Sequence, residues 1–278
     1  MNYINELIDI AIQEDIGDGD HTSLSCIPKD AIGKAHLLVK EAGTIAGVEL
    51  AQTIFKKIDP QLLFHKKISD GEQVQIGDII FTVEGNSQSI LQAERLALNF
   101  MQRMSGIASN TRYYVDLLDG LHTQVLDTRK TTPGLRHLEK WAVKIGGGLN
   151  HRMGLYDMIM IKDNHIDYAG GIKEAINSTR AYLTKNQKSL KIEIEARDLT
   201  ELHEILAVGG IDRIMLDNFS FEDMHTAVAL IDGNYETEAS GGITSETIRR
   251  YAECGVDFIS VGALTHQIKS LDLSLKAI

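Results

Sequence analysis

The sequence predicts an α/β protein whose second, longer part is a parallel α/β barrel. The pattern changes near residue 110. Before it, helices and strands are mixed; after it, short apolar strands alternate with helical segments, as in parallel βαβ units. Such alternation fits a barrel and an open sheet equally well. Two late glycine segments, Gly241–Gly242 and 261–263, resemble the phosphate-binding strand ends of barrels and favour that architecture.

The first part of the chain is predicted to form a sheet covered by helices. The apolar residues of segments 2–14, 48–58 and 89–118 recur at helical spacing. Segments 33–40 and 78–84 have the composition of strands.

The second part is predicted to supply the barrel. Its strands are expected at 123–127, 157–161, 191–195, 213–217, 235–239 and 258–262. Its helices are expected at 136–147, 171–184, 199–208, 221–232 and 244–253. Barrel enzymes build their sites from the C-terminal ends of the strands. Each predicted strand ends in, or is followed by, a polar or glycine-bearing segment, and in chain order these are Asp127–Lys130, Lys162–His165, Glu195, Asp217–Asn218, Ser240–Gly242 and Gly262.

The composition excludes several classes of protein. With 28 Lys and Arg against 39 Asp and Glu, the formal net charge is −11, which disfavours a nucleic-acid partner. No apolar run approaches the roughly 20 residues of a membrane-spanning helix, and the acidic N-terminal segment does not resemble a secretory signal. Cys26 and Cys254 are too few and too far apart for a disulfide framework. We therefore expect a cytoplasmic protein with reduced thiols and no membrane partner.

Basic residues cluster between Arg129 and Lys162 although the protein is acidic overall. A local patch of this kind suits a small anion better than a polymer. Arg129 and Arg152 carry the planar guanidinium that pairs with carboxylates, and Lys130 and Lys162 act as point charges toward phosphate.

Two acids, Glu195 and Asp217, stand among these cations at the strand ends. Carboxylates next to a phosphate-bearing substrate suggest a Mg²⁺ ion held by protein and substrate oxygens. The segment Ser240–Gly242 offers backbone N–H groups just before a helix predicted to begin near Thr244, a geometry that cradles a phosphate.

Each of these residues also has a purely structural interpretation. Glu195 is then the ion-pair partner of a neighbour, Asp217 caps the next helix, and His151 is a structural histidine. The glycines at 146–148 then end a helix, and those at 241–242 form an ordinary turn. The histidines lack metal-ligand spacing, which argues against a zinc site. The whole set of residues, more than any single one, predicts an anion-binding enzyme.

Long motifs along essentially the whole chain resemble one family, quinolinate phosphoribosyltransferase, also called carboxylating nicotinate-nucleotide pyrophosphorylase. The motifs that carry the resemblance are EDIGDGDHTS (14–23), AERLALNFMQRMSGIAS (93–109), DTRKTTPGLR (127–136), KIGGGLNHRMGL (144–155), IKDNHI (161–166), LDN (216–218), ASGGI (239–243) and VGALTH (261–266).

The resemblance implies a reaction and an architecture. Quinolinate and 5-phosphoribosyl-1-pyrophosphate become nicotinate mononucleotide, pyrophosphate and carbon dioxide, a step of NAD biosynthesis. The implied fold is an N-terminal α/β sandwich domain at 1–108 and an incomplete α/β barrel of about six or seven strands at 109–278, with the tail 267–278 packing back on the first domain. The family forms homodimers in which the N-terminal domain of one subunit covers the barrel mouth of the other.

The resemblance also implies which residues bind quinolinate. Arg129, His151 and Arg152 would hold its two carboxylates, with Thr128 in the same motif. Arg95, on the long helix, would reach this pocket from the partner subunit.

The remaining motif residues would bind the phosphoribosyl donor. Lys130 and Lys162 would hold its phosphates, and Glu195 and Asp217 would serve Mg²⁺ and the ribose hydroxyls; these four are the expected catalytic residues. The 5-phosphate would be bound by the backbone N–H groups of Ser240, Gly241, Gly242, Val261, Gly262 and Ala263.

Three other interpretations stay open at this point. One is a similar protein of the kind found beside molybdate transport genes, with a different substrate. Another is a barrel aldolase that uses Lys162 as a Schiff-base nucleophile. The third is a phosphate-binding sensor without catalytic activity.

Overall fold

The computed structural model of the protein describes residues 2–278. The strands, in chain order, are β1 (Ile32–Val39), β2 (Gly43–Thr44), β3 (Leu63–Lys66), β4 (Gln73–Val74), β5 (Ile79–Asn86), β6 (Gln124–Leu126), β7 (Ile159–Ile161), β8 (Ile192–Ala196), β9 (Arg213–Asp217), β10 (Glu236–Ser240), β11 (Phe258–Ser260) and β12 (Leu273–Ala277). The helices are α1 (Asn2–Ile16), α2 (His21–Cys26), α3 (Val48–Ile58), α4 (Ser87–Asp116), α5 (Arg136–Ile145), α6 (Asp163–Ala169), α7 (Ile172–Lys185), α8 (Leu199–Val208), α9 (Phe221–Ile231), α10 (Ile248–Glu253) and α11 (Ala263–His266).

The chain forms two compact units that are interleaved along the sequence. One unit comprises the residues up to Arg112 together with 131–147 and 263–278, and the other comprises 113–130 and 148–262. The predicted domain boundary at residue 108 stays a prediction.

The second unit is built on a six-stranded parallel sheet, counted over the part of the chain that the structure describes, with the order β6-β11-β10-β9-β8-β7. From β11 to β7 the strands follow in reverse chain order, and β6, the first strand of this sheet in the sequence, lies beside β11, the last. A doubly wound open sheet starts in its middle instead. A first strand that pairs with the last shows a sheet curling round on itself, and its opening lies between β6 and β7. The sheet is thus an incomplete α/β barrel, which confirms the predicted fold class.

A short backbone segment continues the pairing at the open edge of β6. Leu149 forms a parallel bridge with Leu126, its N–H donates to the carbonyl of Val125 at 2.8 Å, and its carbonyl accepts the N–H of Asp127 at 3.1 Å. This segment leads directly into His151 and Arg152, so the edge pairing fixes where these two residues lie relative to the end of β6.

Polar caps determine where two of the barrel helices begin. Asp198 accepts the N–H of Glu201 at 2.9 Å at the start of α8, and the Ser220 hydroxyl accepts the N–H of Asp223 at 3.1 Å at the start of α9. The interpretation of Asp217 as a helix cap is therefore wrong, because Ser220 caps the helix that follows it.

The first unit contains an antiparallel sheet of order β12-β1-β5-β3 and a separate β2-β4 pair. The rings of Phe55, Phe64 and Phe81 form its aromatic core, with centroids 4.3–5.8 Å apart. The last strand of the chain completes this sheet, since β12 pairs with β1 and places Leu275 opposite Leu37.

Most predicted elements are confirmed, and the departures have local causes. All six predicted barrel strands are present, within two residues at each end. The helix predicted over 244–253 begins only at Ile248, because Thr244 donates its N–H to the Thr247 hydroxyl at 3.0 Å and closes a turn first. The short helices α2, α6 and α11 and the strands β2, β3, β4 and β12 were not predicted. In the described residues, no helix has the length and apolarity that a membrane crossing requires.

The centre of α4 packs so closely on the C-terminal segment that one glycine is needed there. A methyl group at Gly106 would lie 2.2 Å from the carbonyl oxygen of Lys269. Alanine should gain up to ~1 kcal/mol in helix propensity, yet the clash with backbone is larger. We expect Gly106→Ala to lower the free energy of unfolding by ~1–3 kcal/mol, measured by urea denaturation. The control Asn99→Ala, exposed on the same helix, should be neutral or stabilising; equal stability of the two variants would contradict the close packing.

Candidate functional site

Most of the predicted site residues lie in the barrel unit. Because the six strands are parallel, their C-terminal ends share one end of the barrel, which we call the mouth. Two predicted residues belong to the other unit: Arg95, exposed on α4, and Ala263, the first residue of α11. The predicted residues of the barrel unit are Thr128, Arg129, Lys130, His151, Arg152, Lys162, Glu195, Asp217, Ser240, Gly241, Gly242, Val261 and Gly262.

Two guanidinium groups at the mouth lie close enough to repel each other. Arg152 is half-buried and donates to the carbonyl of Met158 at 3.2 Å. Burial and then the charge of exposed Arg129 lower the pKa of Arg152. The charges of Glu193 and Asp157 act in the opposite direction on Arg152. Adjacent like charges destabilise one another, and a bound anion would relieve the repulsion. The pair therefore has the electrostatics of a carboxylate-binding site.

His151 is held from several directions beneath this pair. Its backbone N–H donates to the carboxylate of the fully buried Asp127 at 2.8 Å, and its Nδ1 accepts the backbone N–H of Arg152 at 2.6 Å. An accepting Nδ1 places the ring proton on Nε2. That atom lies 3.0 Å from a carboxylate oxygen of Glu193 and 3.4 Å from one of Glu238. His151 is thus fixed by hydrogen bonds within the protein, as expected for a structural histidine, and it also lies at the mouth.

Glu193 and Glu238 form a buried acid pair that the sequence did not predict. Both side chains are fully buried in the barrel, on the inward faces of β8 and β10. Toward the N-terminal end of the barrel, Arg213 approaches Glu238 at 3.1 Å and Glu236 at 3.0 Å. The only sequence signal is the alternation of Glu with small or apolar residues along both strands, and an amphipathic strand with one wet face has the same alternation.

Burial makes the charged forms of this pair costly. It raises the pKa of Glu193 to about 7, against the opposing charge of Arg213. Burial, and then the charge of Glu193, raise the pKa of Glu238 to about 8. Together with His151, the pair offers one ligand atom each within 4.8 Å of one another, the only such His, Cys, Asp or Glu group in the described residues that could hold a metal ion. The neighbouring arginines weigh against a cation here, and a shared proton satisfies the pair at lower electrostatic cost.

The two acids proposed from the sequence lie on adjacent strands nearer the mouth. Glu195 is buried on β8 and pairs with Lys162, whose Nζ lies 2.9 Å from its carboxylate oxygen. The ion pair expected in the structural interpretation of Glu195 is therefore present. Asp217 ends β9, is half-buried, and lies beside Ser240 in the register of β9 and β10.

The glycine loop after β10 adopts a backbone that favours glycine. Gly241 has φ +94° and Gly242 has φ +59°, and space is open around the position of a Gly242 side chain. A ligand can therefore approach the backbone at Gly242, whereas the side-chain position of Gly241 is occupied by Asn218. The binding of a phosphate by Ser240–Gly242 stays a prediction.

The loop after β11 is more restricted. The N–H of buried Val261 already donates to the carbonyl of Leu126 at 3.0 Å. A phosphate could be bound by this N–H only if that sheet bond were broken. Gly262 and Ala263, the other two residues of this loop that were predicted to bind the 5-phosphate, follow Val261 and are half-buried.

Comparisons with known proteins agree on one family. Residues 20–105 match the N-terminal domain, and residues 107–276 the C-terminal domain, of quinolinate phosphoribosyl transferase. Quinolinate phosphoribosyltransferase [decarboxylating] 1b of Nicotiana tabacum is 48% identical over 286 residues, covering 97% of this chain and 81% of the relative. Probable nicotinate-nucleotide pyrophosphorylase [carboxylating] of Bacillus subtilis is 42% identical and covers 99% and 94%. The solved structure of NadC from Streptococcus pyogenes superposes with a TM-score of 0.94 at 40% identity, covering 99% and 97%.

The buried acid pair should make stability fall as the pH rises. Between the ordinary value of 4.5 and about 8, the folded protein keeps a proton on Glu238 that the unfolded chain releases. Raising the pH through this window therefore lowers the free energy of unfolding, by at most ~1.4 kcal/mol per pH unit and proton. Glu238→Gln should flatten this slope, measured by urea denaturation at several pH values.

The matched control for this measurement is Glu236→Gln, two residues earlier on β10. Against the effect of burial, Arg213 and Lys191 lower the pKa of Glu236, so its contribution is lost only under acidic conditions. This variant should keep the wild-type slope above about pH 5. Identical slopes in Glu238→Gln and the wild type would show that Glu238 holds no extra proton.

Proposed function

The chain belongs to the quinolinate phosphoribosyltransferase family, and we propose that its barrel mouth carries out the family's reaction with the residues placed there. The protein is a decarboxylating phosphoribosyltransferase. It joins quinolinate to the ribosyl group of 5-phosphoribosyl-1-pyrophosphate and yields nicotinate mononucleotide, pyrophosphate and carbon dioxide. This assignment replaces the aldolase and sensor interpretations. The observation that best supports the site assignment is that the pairing of Leu149 with Leu126 brings Arg152 and Arg129 to the same end of β6, where burial and then the charge of Arg129 lower the pKa of Arg152.

Quinolinate is bound in this proposal by the arginine pair and its surroundings. Arg129 and Arg152 clamp the two carboxylates, and Thr128 lies one residue before Arg129 at the end of β6. His151 supports the clamp from below because its Nδ1 holds the backbone of Arg152. Holding the pyridine ring in a fixed orientation aims its nitrogen at the ribose, and such orientation supplies a large share of the rate enhancement in bimolecular reactions.

The donor is bound by the lysines and by the loops after the late strands. Lys130 is exposed and Lys162 half-buried, so both cations are accessible to phosphate oxygens. The 5-phosphate lies against the loop Ser240–Gly242, whose backbone is open at Gly242, with Gly262 and Ala263 contributing from the loop after β11.

Mg²⁺ is the proposed metal, and the chemistry of the acids fits it. Mg²⁺ binds carboxylate oxygens together with substrate phosphates and waters, and Glu195 and Asp217 lie on adjacent strands of the mouth. These two residues would hold the ion, which when bound neutralises charge on the pyrophosphate. Lys162 already approaches Glu195, so this lysine and the metal would share the carboxylate.

In this proposal the charged side chains of the mouth are opposite in sign to the charges that develop on the substrates. The neutral ring nitrogen attacks the anomeric carbon without needing a general base, while pyrophosphate leaves. Lys130 and Lys162 stabilise the negative charge of the leaving group, and Glu195 and Asp217 stabilise the positive charge that develops on the ribose. When carbon dioxide leaves, the bonding electron pair stays on ring carbon 2 as a carbanion that the positive charge of the adjacent pyridinium nitrogen stabilises, and a proton then binds to this carbon in place of the carboxylate.

The decisive test is formation of nicotinate mononucleotide from purified protein, quinolinate, donor and Mg²⁺. The wild type should turn over quinolinate, and Arg129→Ala should lose activity by a factor of at least ~100, because one side of the clamp is removed. Circular dichroism should show an intact fold, since Arg129 is exposed.

Arg129→Lys provides the matched control for charge. Lysine keeps the positive charge but loses the bidentate geometry, so the activity of Arg129→Lys should lie between those of the wild type and Arg129→Ala. Full activity of Arg129→Ala would remove the clamp from the site. If the wild-type protein turned over neither pyridine monocarboxylates nor pyridine dicarboxylates, its substrate would differ from that of the family, as in the similar proteins found beside molybdate transport genes.

A homodimer with a shared site is a further part of the proposal. It is supported by the family resemblance and by Arg95, a cation that is exposed on α4. In this arrangement Arg95 of one subunit contacts quinolinate in the barrel of the other.

Subunit mixing tests the shared site. Arg95→Ala and Arg129→Ala proteins should each be inactive, but an equal mixture after subunit exchange should regain about a quarter of wild-type activity, because half of the dimers contain one intact site. Size-exclusion chromatography should show a dimer throughout. If mixing restores no activity although subunits exchange, Arg95 acts within its own subunit or not at all.

We also propose that the protein works in the cytoplasm. Exposed Cys26 and half-buried Cys254 are both free thiols, as is usual in a reducing compartment. Cell fractionation with antibody detection tests this proposal.

A further inference from the structure

Asn218, directly after β9, has a backbone conformation that its position in the fold does not require. In the described residues, the non-glycine residues with positive φ are Gln187, Asn218 and Asp232. Gln187 and Asp232 lie at the C-terminal ends of helices, where the left-handed conformation is the usual terminator. Asn218, with φ +57°, instead follows a strand at the mouth of the barrel. Asparagine tolerates this conformation better than most residues, yet it remains an uncommon one.

This conformation lets the Asn218 side chain hold the neighbouring acid. Its Nδ2 donates to a carboxylate oxygen of Asp217 at 2.6 Å. A hydrogen bond to an ionised acceptor is stronger than one between neutral groups and fixes the orientation of the carboxylate. The backbone N–H of Asn218 meanwhile donates to the carbonyl of Ser240 at 2.9 Å and so continues the ladder between β9 and β10.

The same side chain packs against the glycine loop. A methyl group on Gly241 would lie 2.2 Å from Oδ1 of Asn218 and 2.5 Å from its Cγ. The amide plane therefore occupies the space that any other residue at position 241 would need. Asn218 contacts both the acid at the end of β9 and the loop at the end of β10.

We propose that Asn218 is a positioning residue for the phosphoribosyl donor. By holding Asp217 and packing on Gly241, it keeps the carboxylate that faces the ribose hydroxyls at a fixed spacing from the loop that binds the 5-phosphate. The inference rests on the proposed function, which places these two groups of the donor at these two elements. Both ends of ribose 5-phosphate are then bound by a preformed unit, and less ordering is needed when the donor binds.

Two substitutions separate the contributions of the side chain while keeping the backbone conformation. Asn218→Gly tolerates the left-handed conformation but removes the amide, and Asn218→Asp keeps the packing on Gly241 but replaces the donating N–H by a carboxylate. We expect both variants to raise KM for the donor about ten-fold, the usual effect of losing one hydrogen bond to a charged group. KM for quinolinate should change by less than about two-fold, because the arginine clamp does not involve Asn218.

Binding of ribose 5-phosphate alone, measured by titration calorimetry without metal or quinolinate, gives a readout independent of turnover. The two Asn218 variants should bind it about ten-fold more weakly than the wild type. The matched control is Asp232→Gly, which has the same backbone conformation at the end of α9 and should leave both KM values and ribose 5-phosphate binding unchanged.

The outcomes of this experiment are distinct. An unchanged KM for the donor in the Asn218 variants, or equal increases in KM for the donor and for quinolinate, would overturn the positioning role. Thermal melting of each variant identifies a general loss of folding. A wild type that binds ribose 5-phosphate but does not convert quinolinate would contradict the proposed function instead. Weaker sugar phosphate binding confined to the Asn218 variants would still support the link between Asp217 and the loop.

Discussion

Two carboxylates buried inside the barrel impose the constraint on which the arrangement of the other charges depends. Removing Glu193 and Glu238 from water costs several kcal/mol each unless cations or protons compensate them. Arg213 approaches from the N-terminal end of the strands, and His151 approaches from the mouth. His151 is also bound to Asp127 and to the backbone of Arg152. The contacts of His151 with the buried acids therefore help to determine where Arg152 lies at the mouth. The barrel core and the site are therefore one electrostatic system.

The mouth combines opposite demands in a small space. The substrates carry two carboxylates and three phosphates, which need cations, whereas the developing positive charge on the ribose needs acids. In the proposed site these demands are separated by strand. Arg129 and Lys130 follow β6, Arg152 and Lys162 flank β7, and the acids occupy β8 and β9. Because the protein as a whole has a net charge of −11, the cationic mouth is a local feature that attracts anions to one place on an otherwise repulsive surface.

The sequence was sufficient to predict the barrel and most of its mouth, because strand ends are marked by changes from apolar to polar residues. The buried acid pair could not be predicted, since the segment IEIEA has the alternation of a half-exposed strand and only closure of the sheet makes both of its faces interior. The role of Asn218 depends on a dihedral angle, and the occupied N–H of Val261 depends on a partner in a distant strand. The delayed start of α10 reflects a competing threonine turn that resembles a helix cap in sequence.

The pairing of β12 with β1 has a consequence for biosynthesis. One edge of the first antiparallel sheet stays open on the ribosome until the C-terminal residues have emerged, because every strand of the barrel is synthesised between β1 and its partner. An unpaired edge of this kind is a template for association with other chains, and chaperones commonly shield such surfaces. A fragment that ends before Leu273 would keep this edge permanently open. The first unit, although compact, is for this reason a poor candidate for expression from the N-terminal part of the chain alone.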